Sequence, residues 1–369
     1  MKKLFCIILA LALPACTFAV GESAAVERQD GQVHFMLPEN TFTEACVTPF
    51  SARAYRFADS ERIAELFFGD ADYSIDNDID NEGIVRYTSG EESLTVSTPQ
   101  MDAQISFDSE YTTTVFTPIP LITDIYAMRD ELEDEDAELS FMSRAEAEAE
   151  VERFAGEIYE GLNFQCIANF AITRSDYEAS YERRREELDA LIGSDDKTTQ
   201  DMRAKADFPQ EDLGYLIGLA QEINGLPVTW SFFQNVRDMP RNLEVDFWVF
   251  WTPYGCKYFR SVIAVEPLAN EAPCEVLSRE QAMDAFAEGY NYVLGAREVE
   301  VWDAQLVWFT DQPEIIDTGD IATSGNIAGE IHFRPMWCMY TPKYYSYYDD
   351  SAFLELGFYV DARTGETWV

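Results

Sequence analysis

Ser143-Arg144-Ala145-Glu146-Ala147 and Ser278-Arg279-Glu280-Gln281-Ala282 are the two stretches on which the reading of this chain turns. Each puts a Ser at an N-cap with an acid or amide three residues on. The hydroxyl can then accept from the N3 amide while the N3 side chain reaches back to the N-cap N–H. An apolar residue, Met142 or Leu277, precedes each. One helix is predicted through Val151, Phe154, Ala155, Ile158, Tyr159 and Leu162, and another through Ala282, Ala285, Phe286, Tyr290, Val293 and Leu294. Both stripes have the 3.6-residue period of a helix lying on a sheet. Strand-like runs follow at 165–173, 215–230, 243–251 and 258–265 after the first helix. Others follow the second at 299–309, 331–341 and 354–360. The expectation is a duplicated helix-on-sheet unit, with an exposed helix over 176–193 and a loop over 194–208 inserted in the first copy.

Toward the N-terminus the period changes. Val33-His34-Phe35-Met36-Leu37, Ile84-Val85-Arg86-Tyr87, Ser93-Leu94-Thr95-Val96 and Ala103-Gln104-Ile105-Ser106-Phe107 alternate as strands do and are separated by Gly, Asp, Asn and Glu. A helix is predicted over 59–68, with Ile63, Leu66 and Phe67 on one face and Gly69 ending it. The acidic run 130–138 marks a boundary. The expected fold class is α+β: a β-rich N-terminal domain over 32–137 including the acidic linker, then an α+β module over 138–270 and another over 271–369. Residues 1–20 read as a signal peptide and 21–31 as a spacer.

Met1-Lys2-Lys3 followed by the apolar 4–13 has the form of an export signal and is too short to span a bilayer. Leu13-Pro14-Ala15-Cys16 resembles the bacterial lipoprotein box, which implies lipidation of Cys16, with Pro14 departing from the usual residue. Cleavage after Ala19, giving a secreted chain, is the competing reading. In 369 residues, 68 Asp and Glu against 26 Lys and Arg give a net charge of −42, while 47% of residues are hydrophobic. Such a surface belongs to a folded chain and repels phosphate backbones and anionic headgroups, so nucleic acid is excluded as a partner. Membrane contact is expected through the lipid anchor alone, at the outer face of a bacterial membrane.

Motifs for chemistry are sparse. His34 and His332 stand in predicted strands far apart, without a nucleophile elbow, a His-Glu-x-x-His or a Gly-rich phosphate loop. Cys46, Cys166, Cys256, Cys274 and Cys338 are odd in number and irregular in spacing, so at most two disulfides could form. Carboxylates are in surplus, and a glycosidase needs only two of them. Asp76, Asp78, Asp80 and Glu82 follow the first half of an EF-hand loop, but Ser89 stands where the bidentate acid belongs. No cofactor is expected beyond a weak calcium site there. Trp337, Tyr340, Tyr344, Tyr345, Tyr347 and Tyr348 form an aromatic stretch, suited to partner binding because Tyr buries large area at small rotamer cost.

The ending Gly357-Phe358-Tyr359-Val360-Asp361-Ala362-Arg363-Thr364-Gly365-Glu366-Thr367 resembles the closing hairpin of PepSY-type domains. Asn224-Gly225-Leu226-Pro227-Val228 is similar to a strand end of the same superfamily. Over roughly 140–369 the resemblance implies tandem PepSY-like, or extracytoplasmic kinase-regulator-like, modules. The whole chain resembles uncharacterised lipoproteins of anaerobic Gram-positive bacteria. Together these imply a non-catalytic cell-surface lipoprotein, binding or regulating an extracytoplasmic protein partner. The alternative is a carboxylate-dependent extracellular hydrolase acting on polysaccharide or peptidoglycan.

Overall fold

The structure is a computed structural model. It describes residues 26–37, 46–76, 83–98, 103, 105–109, 137–179, 182, 212–230, 247–261, 264–292, 298–310, 315–316, 326–327, 329–345 and 352–368. The N-terminal part contains β1 (Val26–Asp30), β2 (Val33–Leu37), β3 (Cys46–Val47), β4 (Phe50–Ala54), helix α1 (Ser60–Phe68), β5 (Ser74–Asp76), β6 (Ile84–Ser89), β7 (Glu92–Ser97) and β8 (Ile105–Asp108). Helix α2 (Arg144–Ile158) leads into β9 (Asn163–Thr173), β10 (Asp212–Ile223), β11 (Leu226–Trp230), β12 (Phe247–Thr252), β13 (Gly255–Ser261), β14 (Val265–Asn270) and β15 (Cys274–Glu275). Helix α3 (Arg279–Asn291) leads into β16 (Val299–Val301), β17 (Asp303–Thr310), β18 (Ile315–Ile316), β19 (Asn326–Ile327), β20 (Ile331–Tyr345), β21 (Ala352–Asp361) and β22 (Thr367–Trp368).

The helices begin for the reasons their sequences supply. Ser143 and Ser278 each close a full capping box, with Glu146 and Gln281 as reciprocal partners. Asp59 caps α1 by accepting from the Glu61 and Arg62 amides, and Gly69 ends it at φ 57°. Arg62 then donates to the carbonyls of Glu157 and Ile158 at 2.8 and 3.1 Å. A cation from one helix thereby satisfies the last carbonyls of the next and opposes the negative end of its dipole.

β10 is a nearly continuous apolar run, buried along almost its whole length, and it lies mid-sheet with β9 on one side and β12 and β11 on the other. Asn224 and Gly225, both at positive φ, turn β10 into β11. At Gly214 the register against β9 shifts, and a Cβ there would come within 2.4 Å of the Trp251 carbonyl oxygen. β9 carries its own protection on the side away from β10. Its Cys166 amide donates to Glu152 at 2.8 Å and its Asn169 carbonyl accepts from Arg144 at 2.7 Å, both side chains coming from α2.

The expected plan, a β-rich N-terminal domain followed by two helix-on-antiparallel-sheet, PepSY-like modules, is corrected here. The described residues are mostly strand, and fifteen strands join one sheet whose main path runs β14-β4-β20-β17-β11-β10-β12-β13-β8-β7-β6-β5. The N-terminal strands β4 to β8 join this sheet at two places: β4 lies between β14 and β20, and β8 pairs with β13. Beside a small cluster of Val307, Phe309, Met336 and Tyr359, two larger cores form among the described residues, each drawing on distant segments. One gathers Phe35, Phe50, Phe286, Trp308, Trp337 and Val360 around α3, and the other gathers Phe57, Phe107, Phe154, Tyr159, Phe247 and Phe259 around α1 and α2. A parallel ladder, Val228↔Trp308 to Trp230↔Thr310, joins β11 to β17 and makes the sheet continuous between them.

Candidate functional site

The aromatic stretch divides once folded. Trp337 is buried among the core residues over α3, and its indole N–H donates to the Leu277 carbonyl at 3.0 Å, so it fixes the approach to that helix. Tyr340 is half-buried on the opposite face of β20 from Trp337 and Met339. Tyr344 and Tyr345 form the last rungs with Phe353 and Ala352, while Tyr347, Tyr348 and the lipidation residue Cys16 lie outside the described residues. Of the proposed calcium ligands, Asp76 sits exposed at the end of β5, and Asp78, Asp80 and Glu82 lie outside the described residues. Among the described residues no group of three or more His, Cys, Asp and Glu side chains is arranged to hold a metal ion.

His332 faces Glu271 across 3.1 Å in an exposed pair. None of Cys46, Cys166, Cys256, Cys274 and Cys338 is paired in a disulfide. Burial, followed by the nearby Glu148 carboxylate, pushes the Cys166 thiol up to about 12, and burial raises Cys256 as well. Both Cys166 and Cys256 are therefore expected to resist iodoacetamide in the native protein at mildly alkaline pH. Cys166 should hold on the order of a thousandfold less thiolate than a free cysteine of pKa about 8.5. Mass spectrometry should find both thiols alkylated only after unfolding, and rapid native labelling of either would contradict the assignment.

A different surface draws together polar and apolar side chains. β1 and β2 form a hairpin, and β16 adds to β2 in parallel, giving a separate three-stranded sheet. Alternation sends Val33, Phe35 and Leu37 of β2 into the core with Val299 and Val301 of β16. The opposite face therefore carries Glu27 beside Met36, and Gln29, His34 and Glu300 abreast. Met36 is 45% exposed. Trp302, one position beyond β16, is 42% exposed, and its indole N–H donates to the Glu300 carboxylate at 3.1 Å. The Trp302 amide donates to the Tyr340 carbonyl at 2.8 Å, so this face abuts the strand that bears the aromatic stretch.

The sequence reading missed Met36 and Trp302. A signal for Met36 was present in the alternation of Val33-His34-Phe35-Met36-Leu37, which already turns it outward. For Trp302 the signals conflict: Val299-Glu300-Val301 turns it outward, whereas Ala304, Leu306 and Trp308, read as one strand over 299–309, would turn it inward. The phase of the first strand holds through Trp302 and changes before Ala304, which leaves Trp302 outside.

These features define a mostly β protein built on one large mixed sheet under helices, with a small satellite sheet exposing a Trp and a Met. No family model matches the chain, and no curated protein matches it. Among solved structures it is similar to a crystal structure of an uncharacterized protein from Eubacterium rectale ATCC 33656, with a TM-score of 0.62, 12% identity and 94% of each chain covered. At that identity the likeness is one of fold.

Proposed function

We propose that the protein is an exported, non-catalytic binding protein, held at the outer face of a bacterial membrane by a lipid on Cys16 and acting on an extracytoplasmic protein partner. The observation that carries the binding role is the outward face of the β1-β2-β16 sheet. There Met36 on β2 and Trp302, one position beyond β16, are left in solvent at the same end of the sheet. Two large apolar side chains left in solvent beside one another's strands fit a contact surface. The export-type N-terminus and the cysteine of the lipoprotein-like box support the location.

Two measurements in the producing cell test this. Intact mass of the mature protein should give a chain starting at Cys16 with diacylglycerol mass in the membrane fraction. A plain chain starting at Val20 in the medium overturns the anchor. Cross-linking on intact cells should trap a surface protein that Trp302→Ala fails to trap, and equal trapping by both forms overturns the face. Hydrolysis of peptidoglycan or polysaccharide by the purified chain, abolished by a single carboxylate replacement, would establish the hydrolase instead.

A further inference from the structure

We infer that the Met36–Trp302 face receives a lysine- or arginine-bearing segment of an exported protein, with a cationic side chain over the Trp302 ring beside Glu300. The inference rests on the preceding reading that this face is the contact surface and adds the chemistry of the occupant.

The geometry of Trp302 is the first reason. Its N–H is engaged by Glu300, which places a carboxylate at the edge of the indole of a residue that is 42% exposed. A cation against the ring is drawn by the π-cloud and by that carboxylate together. Charge is the second reason. Glu27 lies opposite Met36, and Glu300 lies opposite His34. The one Arg of these three strands, Arg28, lies over the Phe35 ring on the inner side and is held by Asp30 and Asp284 at 2.7 and 2.8 Å. Among the described residues it therefore offers its charge to Asp30 and Asp284 and not to Glu27 or Glu300. Met36 is the third reason, since it offers an apolar surface for the aliphatic stem of a Lys or Arg whose charged end reaches Glu300 or Glu27. A chain of net charge −42 also speeds encounter with a basic partner.

Surface charge alone would hold any polycation, so the test separates the face from the field. The full mature chain, made soluble by Cys16→Ser, is titrated with a short peptide alternating Lys with Leu and Phe, with the same peptide acetylated on every Lys, and with an N-acetylglucosamine oligomer. Trp302→Ala, Trp302→Leu and Glu300→Gln are each expected to weaken the Lys peptide about tenfold. Tyr254→Ser, which changes a 67% exposed side chain on the turn between β12 and β13, should leave binding unchanged. The acetylated peptide should fall to background. Unfolding midpoints matching the parent's certify each variant, and Trp302→Leu retains apolar bulk if Trp302→Ala does not fold. Equal peptide affinity in the parent and the Trp302 variants overturns the inference, as does Trp302-dependent binding of the sugar oligomer. If cells still lose a cross-linked partner with Trp302→Ala while the Lys peptide ignores the change, the cationic occupant is wrong and the binding protein stands.

Discussion

Trp308→Ala is expected to lower the unfolding free energy by about 3–5 kcal/mol, the range for deleting a fully buried aromatic side chain. Trp308 has no exposed surface, meets the Phe50 ring edge-on at 5.2 Å and donates its indole N–H to the Ile223 carbonyl at 2.7 Å. It is also a rung of the parallel ladder, opposite Val228, through which β17 is joined to β11. Removal leaves a cavity in the core over α3 and takes from the Ile223 carbonyl its buried indole donor. Trp308→Phe refills much of the volume but not the hydrogen bond, so it should cost about 1–3 kcal/mol. Denaturant unfolding followed by far-UV circular dichroism measures both. A loss below about 1 kcal/mol for the Ala variant would show that the core over α3 does not depend on this residue.

Local features of the fold were legible because they are written locally. Ser143 and Ser278 with their N3 partners mark both helix starts, and Asp59 and Gly69 bracket α1. Strand positions such as Val33–Leu37 and Ile84–Ser89 follow from alternation. Pairing is another matter. That β4 would sit between β14 and β20, or that Ile105–Asp108 would pair with the strand ending at Ser261, depends on contacts across more than a hundred residues, and alternation is equally compatible with many neighbours. The helix starts repeat, and this suggested repeating modules, yet the strands beneath them come from three parts of the chain. The candidate site followed the same rule. Trp337 stood out by composition but faces inward to cap the approach to α3, while Trp302 sits where two alternation phases meet, so that the longer run read as one strand hides its exposure.

Gln221 is the position where a change of a few atoms should cost nearly as much as a lost Trp. It is 1% exposed on β10, yet its carboxamide donates to the Val265 carbonyl at 2.6 Å and accepts from the Val265 amide at 2.8 Å. β14, at one end of the strand order, is thereby tied to a strand in the middle of the same sheet. Gln221→Leu keeps the bulk and orphans two buried backbone groups, each worth about 1–3 kcal/mol, so a loss of about 2–5 kcal/mol is expected. Gln221→Glu sharpens the test. An ionised carboxylate can accept from the Val265 amide but repels the Val265 carbonyl, and burial further disfavours the charge, so the folded-state pKa lies above the unfolded value of about 4.3. A group raised in this way costs nothing extra below the unfolded pKa and becomes progressively destabilising as pH rises through the folded one. Relative to the parent at each pH, Gln221→Glu should therefore be nearly neutral in acid and lose stability toward neutrality, whereas Gln221→Leu should show a penalty that does not vary with pH. A flat profile for the Glu variant would mean that water reaches this site and that the Gln221–Val265 pair does not bind β14 to the centre of the sheet.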